Sequence, residues 1–340
     1  MSVAAQSHPA LRWDGRRLEI LDQTLLPGTE AWLTLAGAED TAEAIRRLAV
    51  RGAPLIGIAA AYGLAMEVGH QPGLGALERG WATLRQARPT AVNLAYAVDR
   101  VRAAALAAGP TTIAAAARAE AQRIHAEEDA ASSAIADHGA ALLAGARRIA
   151  THCNTGALAA GGSGTALAVI LELHARRPVE VLAGETRPLL QGARLTVWEL
   201  ARAGVAHSLV VDGAMAGLIA RGEVDAVIVG CDRVAANGDT ANKVGTYGLA
   251  LAARAAGIPF VVAGPTSTID VELAEGGAIA IEERDADEVR SFGGVSTTLP
   301  DTPARNPAFD VTPAALISAL VTERGVAQPV DEDAIAALLR

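Results

Sequence analysis

The chain predicts an α/β protein: a Rossmann-like parallel-sheet C-terminal domain behind a smaller, mostly helical N-terminal domain with a short antiparallel sheet. Three observations predict it. From Arg147 onward, short apolar runs alternate with helical patterns, the grammar of parallel strands joined by right-handed crossovers. The run AVIV at Ala226–Val229 is apolar on both faces, as a strand buried inside such a sheet must be. Before residue 147 the spacing is helical almost throughout, and at 340 residues the chain is too long for one small core. The expected division is 1–125 and 126–340, joined by a long helix at about 111–144.

Residues 11–35 carry alternating segments (LRWDG, RLEILD, EAWLTL) broken by Asp14-Gly15 and Pro27-Gly28, which predicts the small antiparallel sheet. Helical spacing begins at Asp40 and runs toward Arg51-Gly52-Ala53-Pro54, where glycine ends one helix and proline opens the next, PLIGIAAAYGLAMEV. That junction sets Arg51 beside a helix N-terminus, an arrangement suited to phosphate but equally ordinary for a surface arginine. Helices follow at about 74–87 and 91–107, separated by Arg88-Pro89-Thr90. His125 and His138 fall on the long helix and read as structural or exposed.

The C-terminal alternation then gives RRIATHC as a strand, a Gly-rich loop into the helix GTALAVILELHA, the strand VEVLAGETRP, and the helix QGARLTVWELARAG. HSLVVDG, AMAGLIARG, VDAVIVGCD and PFVVAGPTSTID follow, with a final αβ passage toward NPAFDVTPAALISALV. Gly161-Gly162-Ser163-Gly164 lacks the G-x-G-x-x-G spacing of a dinucleotide fold, although Glu185 ends the following strand, and no Walker A lysine is present. Close packing, or close approach to a small ligand, accounts for those glycines.

Composition narrows the function. The formal charge of −9 argues against nucleic acid or an anionic membrane as partner. No apolar window reaches a membrane span, and the N-terminus MSVAAQSHPALRWDGRR has no continuous apolar core of a signal peptide. Two cysteines, neither in a CxxC pair, form no disulfide framework or metal motif, so a cytoplasmic protein without metal or cofactor is expected. The 51% hydrophobic content is only 3% aromatic, which favours alanine-rich, closely packed helices.

Chemistry concentrates where strands should end. Asp232 follows the buried run, and Asn242 and Lys243 come ten residues later beside Gly245, ahead of another helix whose open N–H groups could face an anion. Cys153 takes the equivalent place after its own strand, among His152, Asn154, Thr155 and Gly156. A free cysteine is often only a small buried hydrophobe, and that reading fits Cys231 better than Cys153. A carboxyl and a thiol facing one pocket can exchange protons with a substrate.

Five segments together are similar to a known family: RGAPLIGIAAAYG at 51–63, RPTAVNL at 88–94, CNTGALA at 153–159, ETRPLLQGARLTVWEL at 185–200 and DRVAANGDTANKVGTYGLA at 232–250. They resemble the methylthioribose-1-phosphate isomerases of methionine salvage, in order and over almost the whole chain. Distant relatives of that family are regulatory subunits of a eukaryotic translation-initiation exchange factor and archaeal ribose-1,5-bisphosphate isomerases. The resemblance implies Cys153 and Asp232 as the catalytic pair, with Asp232 the proton donor. It implies substrate contacts from Arg51, Gly52, Ala53, Arg88, Gln191, Asn242 and Lys243, a sugar-phosphate substrate and a homodimer. The chain departs from the family pattern at Gly184 and Cys231, where aspartate and alanine are usual, which bears on the C5 substituent and not on the reaction type. A sister isomerase of 5-deoxyribose 1-phosphate or ribose 1,5-bisphosphate, or a non-catalytic sugar-phosphate-binding subunit, are the competing readings.

Overall fold

A computed structural model describes residues 9–89 and 91–340. Residues 1–8 of the N-terminal segment and Thr90 of the second junction lie outside the described residues. The chain forms two compact units, one of residues up to Ser133 together with Thr155–Gly164, the other of Ala134–Asn154 and Thr165–Arg340.

Among the described residues, the first unit opens with an antiparallel sheet of β1 (Leu11–Trp13), β2 (Leu18–Leu21) and β3 (Trp32–Leu35). Its first turn forms because the Asp14 carboxylate accepts the N–H groups of Arg16 and Arg17 at 2.8 and 2.7 Å while Gly15 takes φ 97°. Helices α1 (Ala38–Arg46), α2 (Ala53–His70), α3 (Leu74–Arg85), α4 (Val92–Ala108) and α5 (Ile113–Leu142) follow, residues 134–142 of the last belonging to the second unit. The first helix is shorter than its spacing suggests. It stops at Arg46, and Leu48 turns the chain at φ 62° before the Arg51 junction. Helix α2 is apolar all round and buried from Leu55 to Met66, so it forms the centre against which α1, α3 and α4 pack. Its glycines permit that closeness: a Cβ at Gly57 would stand 2.9 Å from the Asn93 carbonyl oxygen, and at Gly63 2.7 Å from Thr41 Oγ1.

In the second unit the strands are β4 (Arg148–Thr151), β5 (Glu180–Gly184), β6 (Ala206–Val210), β7 (Ala226–Val229), β8 (Arg233–Ala235), β9 (Thr240–Lys243), β10 (Phe260–Ala263), β11 (Ile269–Asp270), β12 (Ser291–Phe292), β13 (Val295–Ser296), β14 (Phe309–Thr312), β15 (Ala319–Thr322) and β16 (Gly325–Ala327). The helices are α6 (Ala166–Arg176), α7 (Val197–Arg202), α8 (Asp212–Ala220), α9 (Thr246–Ala256), α10 (Asp287–Arg290) and α11 (Glu332–Leu339). The main sheet runs β16-β15-β10-β7-β4-β5-β6, parallel except for the antiparallel edge strand β16. Every residue of β7 and β10 is buried, each large aliphatic contributing about 1.5–3 kcal/mol by leaving water.

Two features correct the sequence reading. The sheet is mixed, and the passage into TPAALISALV contains no helix longer than a 3-10 turn at Ala314–Leu316 before strand β15. The Ala319–Thr322 segment is buried throughout between β10 and β16, where a short run of apolar residues closed by threonine fits a strand better than an amphipathic helix. The crossover that precedes it instead contributes β11 and β14 to a second sheet, ordered β11-β8-β9-β14, whose two middle strands come from the connection between β7 and β10.

Candidate active site

Cys153 lies two residues past the end of β4. It is 9% exposed and adopts φ 62°, a left-handed conformation uncommon for a residue with a side chain. Both flanking peptide groups are held: its N–H donates to Thr186 Oγ1 at 2.8 Å, and its carbonyl accepts from Thr196 Oγ1 at 2.6 Å. The preceding His152, 3% exposed, donates Nε2–H to the Val244 carbonyl at 2.8 Å. Burial lowers the pKa of His152 more than that carbonyl and Asp212 raise it, so the ring is neutral and its Nδ1 bare.

The threonines come from the turn after β5 and the helix entry beyond it. Thr186, at φ 65°, is fixed by Asp212, whose carboxylate accepts the Thr186 and Arg187 N–H groups at 2.8 and 2.7 Å. Gln191 follows Leu190 (φ 59°) and leads into a π-helical turn, Gly192–Thr196, a distortion often found at functional sites. Gly192 is obligatory there, since a Cβ would fall 1.7 Å from the Gly184 carbonyl oxygen. Gln191 is 7% exposed, and its Oε1 is buried without a hydrogen-bond partner, a costly state that a ligand donor would relieve.

Asp232 leaves β7, the parallel neighbour of β4 (Ala150 opposite Val227), so the thiol and the carboxyl emerge at the same sheet edge. The chain then folds back as the β8–β9 hairpin. Arg233 pairs Ala241, the Asp232 N–H donates to the Ala241 carbonyl at 2.9 Å, and the next register step sets Asp232 against Asn242. Asn242 is buried and donates to Thr246 Oγ1 at 2.9 Å; Lys243 Nζ donates to the Ala308 carbonyl at 2.8 Å and lies 4.5 Å from the centre of the Phe309 ring.

One expectation fails here. The N-terminus of α9 is closed to an anion because Asp310 occupies it, accepting the Gly245 N–H at 2.7 Å and the Tyr247 N–H at 3.1 Å. The capping carboxylate comes from 65 residues downstream, beyond the reach of any local pattern.

The remaining residues belong to the first unit. Gly52, at φ 94°, precedes α2, and a Cβ there would stand 2.2 Å from the Ala159 carbonyl oxygen. The Leu55 N–H donates to the same oxygen at 3.2 Å, so the Arg51-Gly52-Ala53 junction is built directly on the segment that follows Cys153 and Asn154. Arg88 precedes α4, its carbonyl accepting the Ala91 N–H at 3.0 Å. The glycines at 161–164 serve close packing: a Cβ at Gly161 would meet Glu128 and one at Gly162 would meet Ser132, each at 2.9 Å. His125 bonds the Tyr62 hydroxyl at 3.1 Å, and His138, in the second unit, donates Nδ1–H to the Thr322 carbonyl at 2.9 Å, both structural roles.

Cys231 turns toward Thr268, its sulfur 3.3 Å from Oγ1, and burial pushes its thiol up to about 12. Among the described residues no group of three or more His, Cys, Asp or Glu side chains could hold a metal ion, and no helix is long and apolar enough to cross a membrane. Thr186, Thr196, Asp212 and Asp310 escaped the sequence reading, although both threonines stand inside the motif at 185–200, and His152 was read only as a polar neighbour of Cys153.

The model of the initiation factor 2 subunit family matches residues 49–329, which contain all five motifs. This chain belongs to that family. It is 54% identical over 330 residues to the methylthioribose-1-phosphate isomerase of Gemmatimonas aurantiaca, covering 94% of each chain. It is 49% identical over 331 residues to that of Alcanivorax borkumensis, covering 96% of each. The crystal structure of 5-methylthioribose 1-phosphate isomerase from Pyrococcus horikoshii superposes with a TM-score of 0.93 at 37% identity, over 100% of this chain and 98% of that one. Within the family, the chain therefore stands beside the methylthioribose-1-phosphate isomerases.

Proposed function

We propose that this chain converts 5-methylthioribose 1-phosphate to 5-methylthioribulose 1-phosphate, the aldose–ketose step of methionine salvage, with Cys153 and Asp232 as its catalytic pair. One observation carries the site. In a chain matched almost end to end by isomerases, Cys153 and Asp232, far apart in sequence, leave adjacent parallel strands at one carboxyl edge, where ligands of open α/β sheets bind.

An aldose phosphorylated on its anomeric oxygen has no free aldehyde form, so the ring must be opened in place. Asp232 delivers a proton to the ring oxygen as the C–O bond breaks, and hydrogen then passes from C2 to C1. Cys153 serves as the base of that transfer or stabilises the charge that develops. Gln191, with its unsatisfied buried oxygen, receives a sugar hydroxyl, and Asn242 and Lys243 complete the contacts beside Asp232. Arg51, Gly52, Ala53 and Arg88 bind substrate in the same reading, the two guanidinium groups taking the phosphate. No metal or cofactor takes part in this scheme.

The C5 group is assigned as methylthio because Arg187, the one cation of the ETRP segment that a second phosphate could call on, is committed elsewhere. Its guanidinium donates to the carbonyls of Pro188, Val289 and Ser291 and lies 5.5 Å from the Phe292 ring centre. The fold reading extends to a Rossmann-like C-terminal domain acting with a helical N-terminal domain, in the cytoplasm. The partner is a second copy of the chain; the exposed Leu209 and Val211 before α8, with Tyr247 and Leu251 on α9, offer an apolar face. Purified protein is to be assayed for ketose from 5-methylthioribose 1-phosphate, 5-deoxyribose 1-phosphate and ribose 1,5-bisphosphate in parallel. Highest kcat/KM on the methylthio sugar is expected; preference for the bisphosphate refutes the C5 assignment, and inactivity on all three refutes the enzyme.

A further inference from the structure

Cys153 is the only one of the proposed substrate-site residues with a side chain that adopts a left-handed backbone, and it is clasped on both sides by hydroxyl groups. The direction of each hydrogen bond follows from its partners. Thr186 Oγ1 accepts the Cys153 N–H at 2.8 Å, and its own proton has the Gly184 carbonyl at 3.2 Å and the bare His152 Nδ1 at 3.5 Å as acceptors. Thr196 Oγ1 accepts from the Asn154 amide at 3.3 Å and donates to the Cys153 carbonyl at 2.6 Å.

Each hydroxyl is backed by a carboxylate. Asp212 fixes the Thr186 backbone at 2.8 Å, and Glu199 orients the Asn154 amide at 2.6 Å. All four side chains of the clasp itself, Thr186, Thr196, Asn154 and Glu199, are buried, so water cannot substitute for a missing hydroxyl without a cavity opening. Left to its own preferences, residue 153 would continue the extended geometry of β4, and its side chain would project elsewhere.

We propose that Thr186 and Thr196 are positioning residues whose hydroxyl groups hold Cys153 in its left-handed turn and thereby aim its thiol at the substrate. This rests on the reading of Cys153 as catalytic, but the clasp can be tested apart from it. Removing either hydroxyl releases one end of the turn and lets the thiol swing, whereas a serine keeps the bond and loses only a methyl group.

The test uses the full chain carrying Thr186→Val, Thr186→Ser, Thr196→Val or Thr196→Ser, with Thr186→Ala and Thr196→Ala in case a valine variant does not fold. Two quantities are read: kcat and KM for isomerisation, and the rate at which iodoacetamide alkylates Cys153, followed by peptide mass spectrometry against an isotope-labelled standard peptide. The valine or alanine variants should lose about tenfold or more in kcat with KM changed by less than about threefold, and their Cys153 alkylation rate should shift by at least about threefold. The serine variants should regain both. Loss of kcat in valine and serine variants alike, or an unaltered Cys153 alkylation rate in variants lacking the hydroxyl, overturns the positioning role. An active Cys153→Ala enzyme overturns the catalytic reading instead, and the alkylation rates still decide whether the clasp holds the thiol.

Discussion

Replacing Gly52 by alanine tests how the Arg51 junction is built. The new Cβ would lie 2.2, 2.4 and 2.7 Å from the carbonyl oxygen, Cα and carbonyl carbon of Ala159, all backbone atoms that no rotamer change can move. Two costs combine. A side chain at φ 94° costs about 1–2 kcal/mol, and overpacking against an immovable neighbour costs about 1–3 kcal/mol. A central sum of about 3 kcal/mol lowers Tm by roughly 4 °C in a protein of this size. Gly69→Ala supplies the control in the same helix: nothing stands within 4 Å of its Cβ, and its helical position should gain a few tenths to about 1 kcal/mol. Differential scanning calorimetry of both variants measures the contrast. Equal Tm values for Gly52→Ala and the parent protein would refute the close approach of the junction to Ala159.

Asp239 accepts N–H groups from Ala314 and Gly276 and the Asn237 amide, at 2.8, 3.0 and 2.9 Å, and so ties the β8–β9 turn to two other segments. Burial works against its ionisation, but those donors prevail and hold its carboxyl below the ordinary 3.8. Its contribution is therefore present above that value and lost as pH falls through the lower folded-state value. Asp239→Asn should destabilise by about 1–3 kcal/mol in urea titrations at pH 7, with the gap narrowing below about pH 3.8. Cys231→Ala should keep kcat within about threefold, because that thiol is buried against Thr268 and takes no part in the reaction; a steady-state assay checks it. Arg51→Gln and Arg88→Gln should each raise KM by about tenfold or more while isothermal calorimetry shows weakened binding of inorganic phosphate; unchanged values for both would remove them from the phosphate site.

The strands of the main sheet were legible because burial on both faces leaves a continuous apolar run, as in Ala226–Val229, and the start of α2 was legible because Pro54 fixes it. Cys153 and Asp232 could be placed at strand ends for the same reason. What the local pattern did not carry was long-range. Asp310 caps α9 from across the second sheet, and residues 264–318 bridge β10 to β15 without helical periodicity, held by side-chain to backbone bonds such as those of Asp239. The left-handed turn at Cys153 also has no signature in its own residues, since two distant threonines impose it. The resemblance supplied Gln191, whose orphaned buried oxygen is visible only once the π-helical turn is formed.

The most direct test of the account is single-turnover conversion of 5-methylthioribose 1-phosphate, followed by NMR, in the parent protein and in Cys153→Ser and Asp232→Asn. The account predicts complete ketose formation by the parent, and rates lowered by about a hundredfold or more in both variants with substrate affinity little changed. Ketose formation at the parent rate by either variant would contradict it.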